Sequence, residues 1–309
     1  VKIAVVGCGA VGSIFAAHLA SVGVTDGPEV WVYDRDREHI EAIDRDGLRL
    51  TGVADVTGRP RATANPADLP PCDFGIVATK AWHTEAAITE TAHAFAYGAV
   101  CSVQNGLGNE EILARHVERV IRGTTFPAGR VVGPGVVEWD TAGKTWIGPF
   151  EPAPADYDND VTQLADALNR SGMETLAMED ARGAQWAKLI FNAATNPVGA
   201  LAGLTHGQIC ERPGLRKLVS DLITEAKAVA TAQDIRLDSD PEAVVDRAAK
   251  TAYHHRASML QDVLAGRRTE VDYLNGGIVR AGETNGVATP LHNAIWALVR
   301  TREQGVRFG

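Results

Sequence analysis

Lys188, Asn192 and Asn196 stand four residues apart in Trp186-Ala187-Lys188-Leu189-Ile190-Phe191-Asn192-Ala193-Ala194-Thr195-Asn196-Pro197. On a helix that spacing puts them on one face, with Gln185 beside them. A cation among amides can hold a small polar molecule in a fixed orientation. The same spacing also suits a solvent-facing stripe, but such a face more often carries Glu and Lys than amides. Pro197 is expected to end this helix at about Asn196.

A second constellation sits at the other end of the chain. The apolar run 1–6 leads straight into Gly7-Cys8-Gly9-Ala10-Val11-Gly12 and then into an apolar helix beginning near Ala10. Gly7 permits a tight turn, Gly9 lets the backbone approach a phosphate, and Gly12 lets the helix pack close to the strand. The N–H groups of the first helical turn then face the anion. With a strand before it and a helix after it, this turn is a candidate dinucleotide pyrophosphate site, formed by Gly7, Cys8, Gly9, Ala10, Val11 and Gly12.

The second strand ends in Tyr33-Asp34-Arg35-Asp36-Arg37, where such a site meets the adenosine ribose. An acid there accepts from a free 2′-hydroxyl, and an arginine attracts a 2′-phosphate, so Asp34 argues for NAD and Arg35 for NADP. A charged helix start capped by Asp36 explains the same residues locally. Lys80 follows the run 74–78, and Asn105, in Gln104-Asn105-Gly106-Leu107-Gly108, follows the run 100–103. Both lie at the carboxyl ends of strands, the edge where open α/β sheets bind ligands. A solvated loop lysine and an Asn-Gly turn are the local alternatives. Ser258-Met259-Leu260-Gln261-Asp262 and Thr269-Glu270-Val271-Asp272-Tyr273 flank a basic turn. There Thr269 is a suitable N-cap, and Glu270 and Asp272 suit a helix dipole.

These residues need elements to hold them. The first half alternates strands (1–6, 30–33, 74–78, 100–103) with helices (10–22, 38–44, 84–96), which predicts a parallel sheet covered by helices. Segments 47–50 and 55–64 read as an inserted polar hairpin, and 120–147 as antiparallel or edge strands. A helix at 161–170 and a strand at 173–177 carry the first domain to 179. The second domain, 180–309, is predicted to be all helical, with helices at 181–195, 214–233, 242–264, 271–285 and 291–302. Pro213, Pro241 and Pro290 stand where helices can start.

Composition narrows the partners. The 309 residues are 45% apolar and 22% charged, with net charge −9 and pI near 5.5. That is a soluble globular chain with no sign of a nucleic-acid or membrane-surface role. No apolar run is long enough to cross a bilayer, and with a strand at its start the chain is expected to carry no leader. Cys8, Cys72, Cys101 and Cys210 are far apart, with no metal-ligand spacing. They are expected to be reduced thiols in a cytoplasmic protein with no bound metal.

Taken in order, the Gly7 to Gly12 turn, Lys80-Ala81-Trp82, Gln104-Asn105-Gly106-Leu107-Gly108, the Lys188, Asn192, Asn196-Pro197 helix, and the Ser258 and Thr269 motifs resemble the ketopantoate reductases over nearly the whole chain. The resemblance implies an α/β Rossmann-type N-terminal domain and an all-α C-terminal domain like that of 6-phosphogluconate dehydrogenase. It implies reduction of 2-dehydropantoate to (R)-pantoate, on the way to pantothenate and coenzyme A, with NADP(H) as cofactor. NAD(H) stays open because of Asp34. By the same resemblance Lys188 is the proton donor, Asn192, Asn196 and Ser258 bind substrate, and Lys80, Arg35 and Glu270 contact cofactor. Asn105 serves both substrate and cofactor, and the family precedent is a homodimer.

Two residues depart from the pattern: His206 stands where the family often has a further substrate-binding Asn, and Asp34 precedes Arg35. The rival readings are a reductase of another small 2-keto acid and a protein that senses NAD(P) without turning it over.

Overall fold

The computed structural model describes residues 1–23, 27–151 and 157–305. They divide into two compact units, one of residues 1–104 with 109–181, the other of 105–108 with 182–309. The loop 105–108, placed in the first domain by the sequence reading, groups with the helices.

In the first unit the opening run forms β1 (Lys2–Val6), followed by α1 (Ala10–Ser21), β2 (Glu29–Tyr33), α2 (Arg37–Asp46), β3 (Leu48–Gly52), β4 (Val56–Gly58) and β5 (Arg61–Thr63). Then come β6 (Phe74–Val77), α3 (Thr84–Thr91), β7 (Ala99–Ser102), α4 (Asn109–Leu113), β8 (Arg119–Thr125), β9 (Ala128–Gly133), β10 (Val136–Thr141) and β11 (Thr145–Pro149). Helix α5 (Tyr157–Arg170) and strand β12 (Thr175–Ala177) complete it. The main sheet runs β12-β11-β8-β7-β6-β1-β2-β5. Its pairs are parallel except β11 with β8. Strands β1, β6 and β7 are buried on both faces, so they are continuous apolar runs.

One strand expectation needs correction, while the antiparallel pairing expected of 120–147 holds for β8 with β11 and for β9 with β10. Strands β3 and β4 do form an antiparallel hairpin, but β5 leaves it and pairs in parallel with β2. The segment 120–147 is also divided. Strands β8 and β11 extend the main sheet, whereas β9 and β10 join β3 and β4 in a second sheet, β4-β3-β10-β9. Helix α1 packs against that sheet as well as the first. A Cβ on Gly58 would lie 2.4 Å from the Ala17 carbonyl oxygen, and the Trp139 ring meets His18 edge to face at 5.0 Å. Covered on both sides, α1 buries every residue from Gly12 to Leu19, which is why its sequence has no polar face.

The second unit contains α6 (Arg182–Ala202), α7 (His206–Cys210), α8 (Pro213–Ala232), α9 (Pro241–Thr251), α10 (Ser258–Leu264), α11 (Asn275–Thr284) and α12 (Pro290–Glu303). Pro213, Pro241 and Pro290 open their helices as expected. The expected helix 242–264 is instead broken at 252–257, where the chain is drawn onto α7. The Gly207 N–H donates to the Tyr253 carbonyl at 3.1 Å, and the Gly207 Cα lies so near the Tyr253 ring that a Cβ would overlap it. The expected helix 271–285 starts only at Asn275, after a turn in which the Tyr273 and Leu274 N–H groups bond the Glu270 carbonyl. Thr269 therefore caps that turn, through Val271 N–H at 3.3 Å, and not the helix.

Pro197 does not end α6, which continues to Ala202. A proline inside a helix cannot donate to the carbonyl four residues back, here that of Ala193. Asn275, fully buried, replaces the missing donor: its Nδ2 gives one hydrogen to the Ala193 carbonyl at 2.9 Å and meets His292 Nδ1 at 3.0 Å. His292 Nε2 lies 2.9 Å from the Leu222 carbonyl, which can only accept, so Nε2 carries the proton and Nδ1 accepts from Asn275. Burial lowers the His292 pKa, in keeping with this neutral form.

Asn275→Ala is expected to cost about 2–4 kcal/mol in urea unfolding, because two buried acceptors lose their donor. In a Pro197→Ala background the cost should shrink by about 1 kcal/mol, since residue 197 then supplies its own N–H. Equal costs in the two backgrounds would show that Asn275 does not replace the proline's missing bond.

Candidate active site

The first unit carries the glycine turn. Gly7 has φ +91°, and its N–H donates to the Tyr33 carbonyl at 2.9 Å. A Cβ on Gly12 would lie 1.9 Å from the Gly7 carbonyl oxygen, so the strand-to-helix contact requires glycine. Nothing lies within 4 Å of a Cβ built on Gly9, the N-cap of α1. That open ground, beside a first helical turn whose N–H groups have no intrahelical acceptor, fits a dinucleotide pyrophosphate.

Asp34 braces this turn. Its Oδ2 accepts the Cys8 N–H at 2.6 Å and its Oδ1 the Asp36 N–H at 2.9 Å. Asp36 caps α2 through the His39 N–H at 3.1 Å, as the local reading allows. Arg35 reaches across to α3, where its guanidinium pairs with Glu90 Oε1 at 2.6 Å, and the Tyr33 hydroxyl donates to Glu90 Oε2 at 2.6 Å. These two donors hold the Glu90 carboxyl below its ordinary pKa. Sequence reasoning missed Glu90, since no local pattern links residues 55 apart. Lys80 leads into a short turn after β6, with its ammonium 5.9 Å from the Trp82 ring centre. Gln104 fastens the neighbouring loops, donating to the Thr79 carbonyl and the Thr84 hydroxyl, each at 2.8 Å.

The second unit carries the amine. Lys188, half-buried on α6, donates from Nζ to Asn105 Oδ1 at 2.8 Å, and Asn105 Nδ2 donates to Glu270 Oε2 at 3.2 Å. The amide therefore stands between an ammonium and a buried carboxylate, and its orientation is fixed by both. The loop 105–108 is pinned to the Glu270 segment. Leu107 N–H donates to the Tyr273 carbonyl at 3.0 Å, and Gly106, at φ +89°, packs so closely on Tyr273 that a Cβ would clash. Burial pulls the Lys188 ammonium down to about 8, while the Glu270 charge opposes that fall. Between pH about 8 and the ordinary 10.5, the folded chain binds fewer protons here than the unfolded one, so this group makes stability rise with pH.

Asn192 and Asn196 follow Lys188 along the unbroken α6, the first half-buried and the second buried with its Oδ1 3.3 Å from the Thr195 hydroxyl. The structure thus joins Lys188, Asn105 and Glu270 by hydrogen bonds and puts Asn192 and Asn196 on the same helix. Ser258 stands exposed as the first residue of α10.

His206 is buried, stacked on His255 at 5.6 Å with an interplanar angle of 5°, and 5.6 Å from the Phe191 ring. Burial and the neighbouring imidazole pull it down to about 4, so it is neutral at pH 7. His255 was not identified from sequence. Among the described residues no group of three or more His, Cys, Asp or Glu could hold a metal, and no helix is long and apolar enough to cross a membrane.

Residues 3–152 match the model of the ketopantoate reductase PanE/ApbA family, and residues 180–303 the model of its C-terminal part. The 2-dehydropantoate 2-reductase of Pyrococcus horikoshii is 33% identical over 302 residues, covering 98% of this chain and 97% of that protein. The chain belongs to the ketopantoate reductase family. It is an oxidoreductase by class, in a family that uses a nicotinamide cofactor. The 2-dehydropantoate 2-reductase of Archaeoglobus fulgidus is 31% identical over 99% of each chain. Among solved structures, a PanE/ApbA family ketopantoate reductase from Ralstonia eutropha JMP134 has TM-score 0.87 at 31% identity, covering 98% of this chain and 99% of that one. A D-mandelate dehydrogenase solved with NADH and anilino(oxo)acetate has TM-score 0.90 at 26% identity, with the same coverage.

Glu270→Gln should move the Lys188 amine further below about 8, because the opposing charge is removed while the hydrogen bond to Asn105 can persist. Titration of the side-chain amine by heteronuclear NMR checks this. A midpoint unchanged or raised in the variant would exclude Glu270 as the charge that supports the ammonium.

Proposed function

We propose that this chain reduces 2-dehydropantoate to (R)-pantoate with NADPH, a step toward pantothenate, and that Lys188 supplies the proton. The observation that carries the reading is the Lys188 ammonium, oriented by Asn105 and drawn down to about 8. When bound, a nicotinamide cofactor would supply the hydride for the keto carbon. As the carbonyl oxygen gains negative charge, Lys188 Nζ neutralises it and delivers a proton to it. A general acid works best with a pKa near the working pH, and burial brings this amine toward that range.

Asn105 keeps its carbonyl oxygen toward Nζ because its Nδ2 is committed to Glu270. Asn192 and Asn196 hold the polar groups of the substrate, and the exposed Ser258 hydroxyl donates to its carboxylate. In the other unit the Gly7 to Gly12 turn receives the pyrophosphate, with Cys8, Ala10 and Val11 contributing backbone, and Lys80 and Arg35 meet phosphate or ribose oxygens. The four cysteines are free thiols, in keeping with a reducing cytoplasm.

A second substrate reading has an observation of its own. The stacked His206 and His255 beside Phe191 form an aromatic patch where the family often has an amide, and the structural likeness to D-mandelate dehydrogenase is close. That favours a 2-keto acid with an aromatic group in place of the branched one. Initial rates with ketopantoate and phenylglyoxylate, each with NADPH and NADH, separate the two. Ketopantoate is expected to have the higher kcat/KM by a large factor, and a preference for phenylglyoxylate would replace the proposed substrate.

Lys188→Ala should lower kcat by about 10² or more, the scale of general acid catalysis, with the thermal midpoint little changed. Full turnover in a folded variant would remove Lys188 from the mechanism.

A further inference from the structure

Arg35, the side chain able to recognise a ribose 2′-phosphate, is already bonded to a carboxylate from another element. Its guanidinium is 2.6 Å from Glu90 Oε1, and Glu90 is held from its other side by the Tyr33 hydroxyl at 2.6 Å. Tyr33 is buried at the end of β2, so Glu90 has a fixed anchor and is not a wandering surface charge. Asp34, the neighbouring acid, is committed to the Cys8 and Asp36 backbone N–H groups and cannot turn away. The arginine thus meets any incoming anion with the Glu90 carboxylate already bonded to it.

We propose that Glu90 sets the cofactor preference by competing with the ribose 2′-phosphate for the Arg35 guanidinium. The proposal rests on the reading of the glycine turn as a dinucleotide site, because only then does the end of β2 face the adenosine ribose. A 2′-phosphate must share Arg35 with Glu90 or displace it, and it is repelled by that carboxylate in either case. A free 2′-hydroxyl carries no such cost and can donate to a carboxylate oxygen. Glu90 therefore weakens NADPH selectively and leaves NADH nearly untouched.

The size of the effect follows from exposure. The Arg35 and Glu90 side chains are 56% and 34% exposed, so the pair is partly screened by water and can open. Glu90 is thus a bias on selectivity and not an absolute bar.

The test is binding of NADPH and NADH to the protein without substrate, followed by the change in nicotinamide fluorescence. Glu90→Gln removes the charge but keeps an acceptor for Tyr33, and its thermal midpoint confirms that it folds. NADPH should bind about fivefold more tightly or better in the variant, with the NADH Kd changing by less than about twofold. In an Arg35→Ala background the same substitution should lose most of this gain, because no guanidinium is left to release. Equal changes for both cofactors, no change for either, or a full gain without Arg35 would overturn the proposal while leaving the dinucleotide site standing. Absence of binding by either cofactor to wild type and variants alike would overturn the site and the proposal together.

Discussion

The hydrogen-bonded series from Lys188 through Asn105 to Glu270 is the constraint on which the second unit's chemistry depends. An amine taken out of water loses its proton more readily, and a carboxylate taken out of water needs partners. The Asn105 amide serves both, offering its oxygen to the ammonium and its N–H to the carboxylate. The Glu270 charge opposes the loss of the Lys188 proton that burial favours. The segment from Glu270 to Tyr273 supplies both the carboxylate and the backbone carbonyl that pins the loop 105–108. A single turn therefore positions the amine's acceptor and the charge behind it.

Helix α6 is the other half of that arrangement. Lys188, Asn192 and Asn196 can act along one face only if the helix stays regular past Asn196, yet Pro197 withdraws a backbone donor at that point. Asn275 restores it from α11, with His292 and the Leu222 carbonyl behind it. In the first unit a comparable economy holds. Asp34 ties the glycine turn to the end of β2 through the Cys8 N–H, so one carboxylate braces both segments.

What could be read from the sequence was set by local chemistry. Glycines at 7, 9 and 12 between a buried strand and a helix have few other uses, and the prolines at 213, 241 and 290 mark helix starts by their fixed φ. The four-residue spacing of Lys188, Asn192 and Asn196 announced a common face. What could not be read depended on partners distant in the chain. Pro197 looks like a terminator until Asn275 is brought against Ala193. Segment 242–264 looks continuous until Tyr253 is drawn over Gly207. Glu90 and His255 have no local signature, because each acquires its meaning only from a residue about 50 positions away. The second sheet was hidden for the same reason, since β3 pairs with β10 across a long stretch of chain.

The most direct measurement compares the titration of the Lys188 amine in the unliganded protein with the pH dependence of kcat/KM, which reports the free enzyme's ionisations. The amine is expected to titrate near 8, and kcat/KM to fall above the same pH as the proton to be donated is lost. An amine titrating near 10.5, or a kcat/KM that stays level while the amine loses its proton, would contradict that expectation.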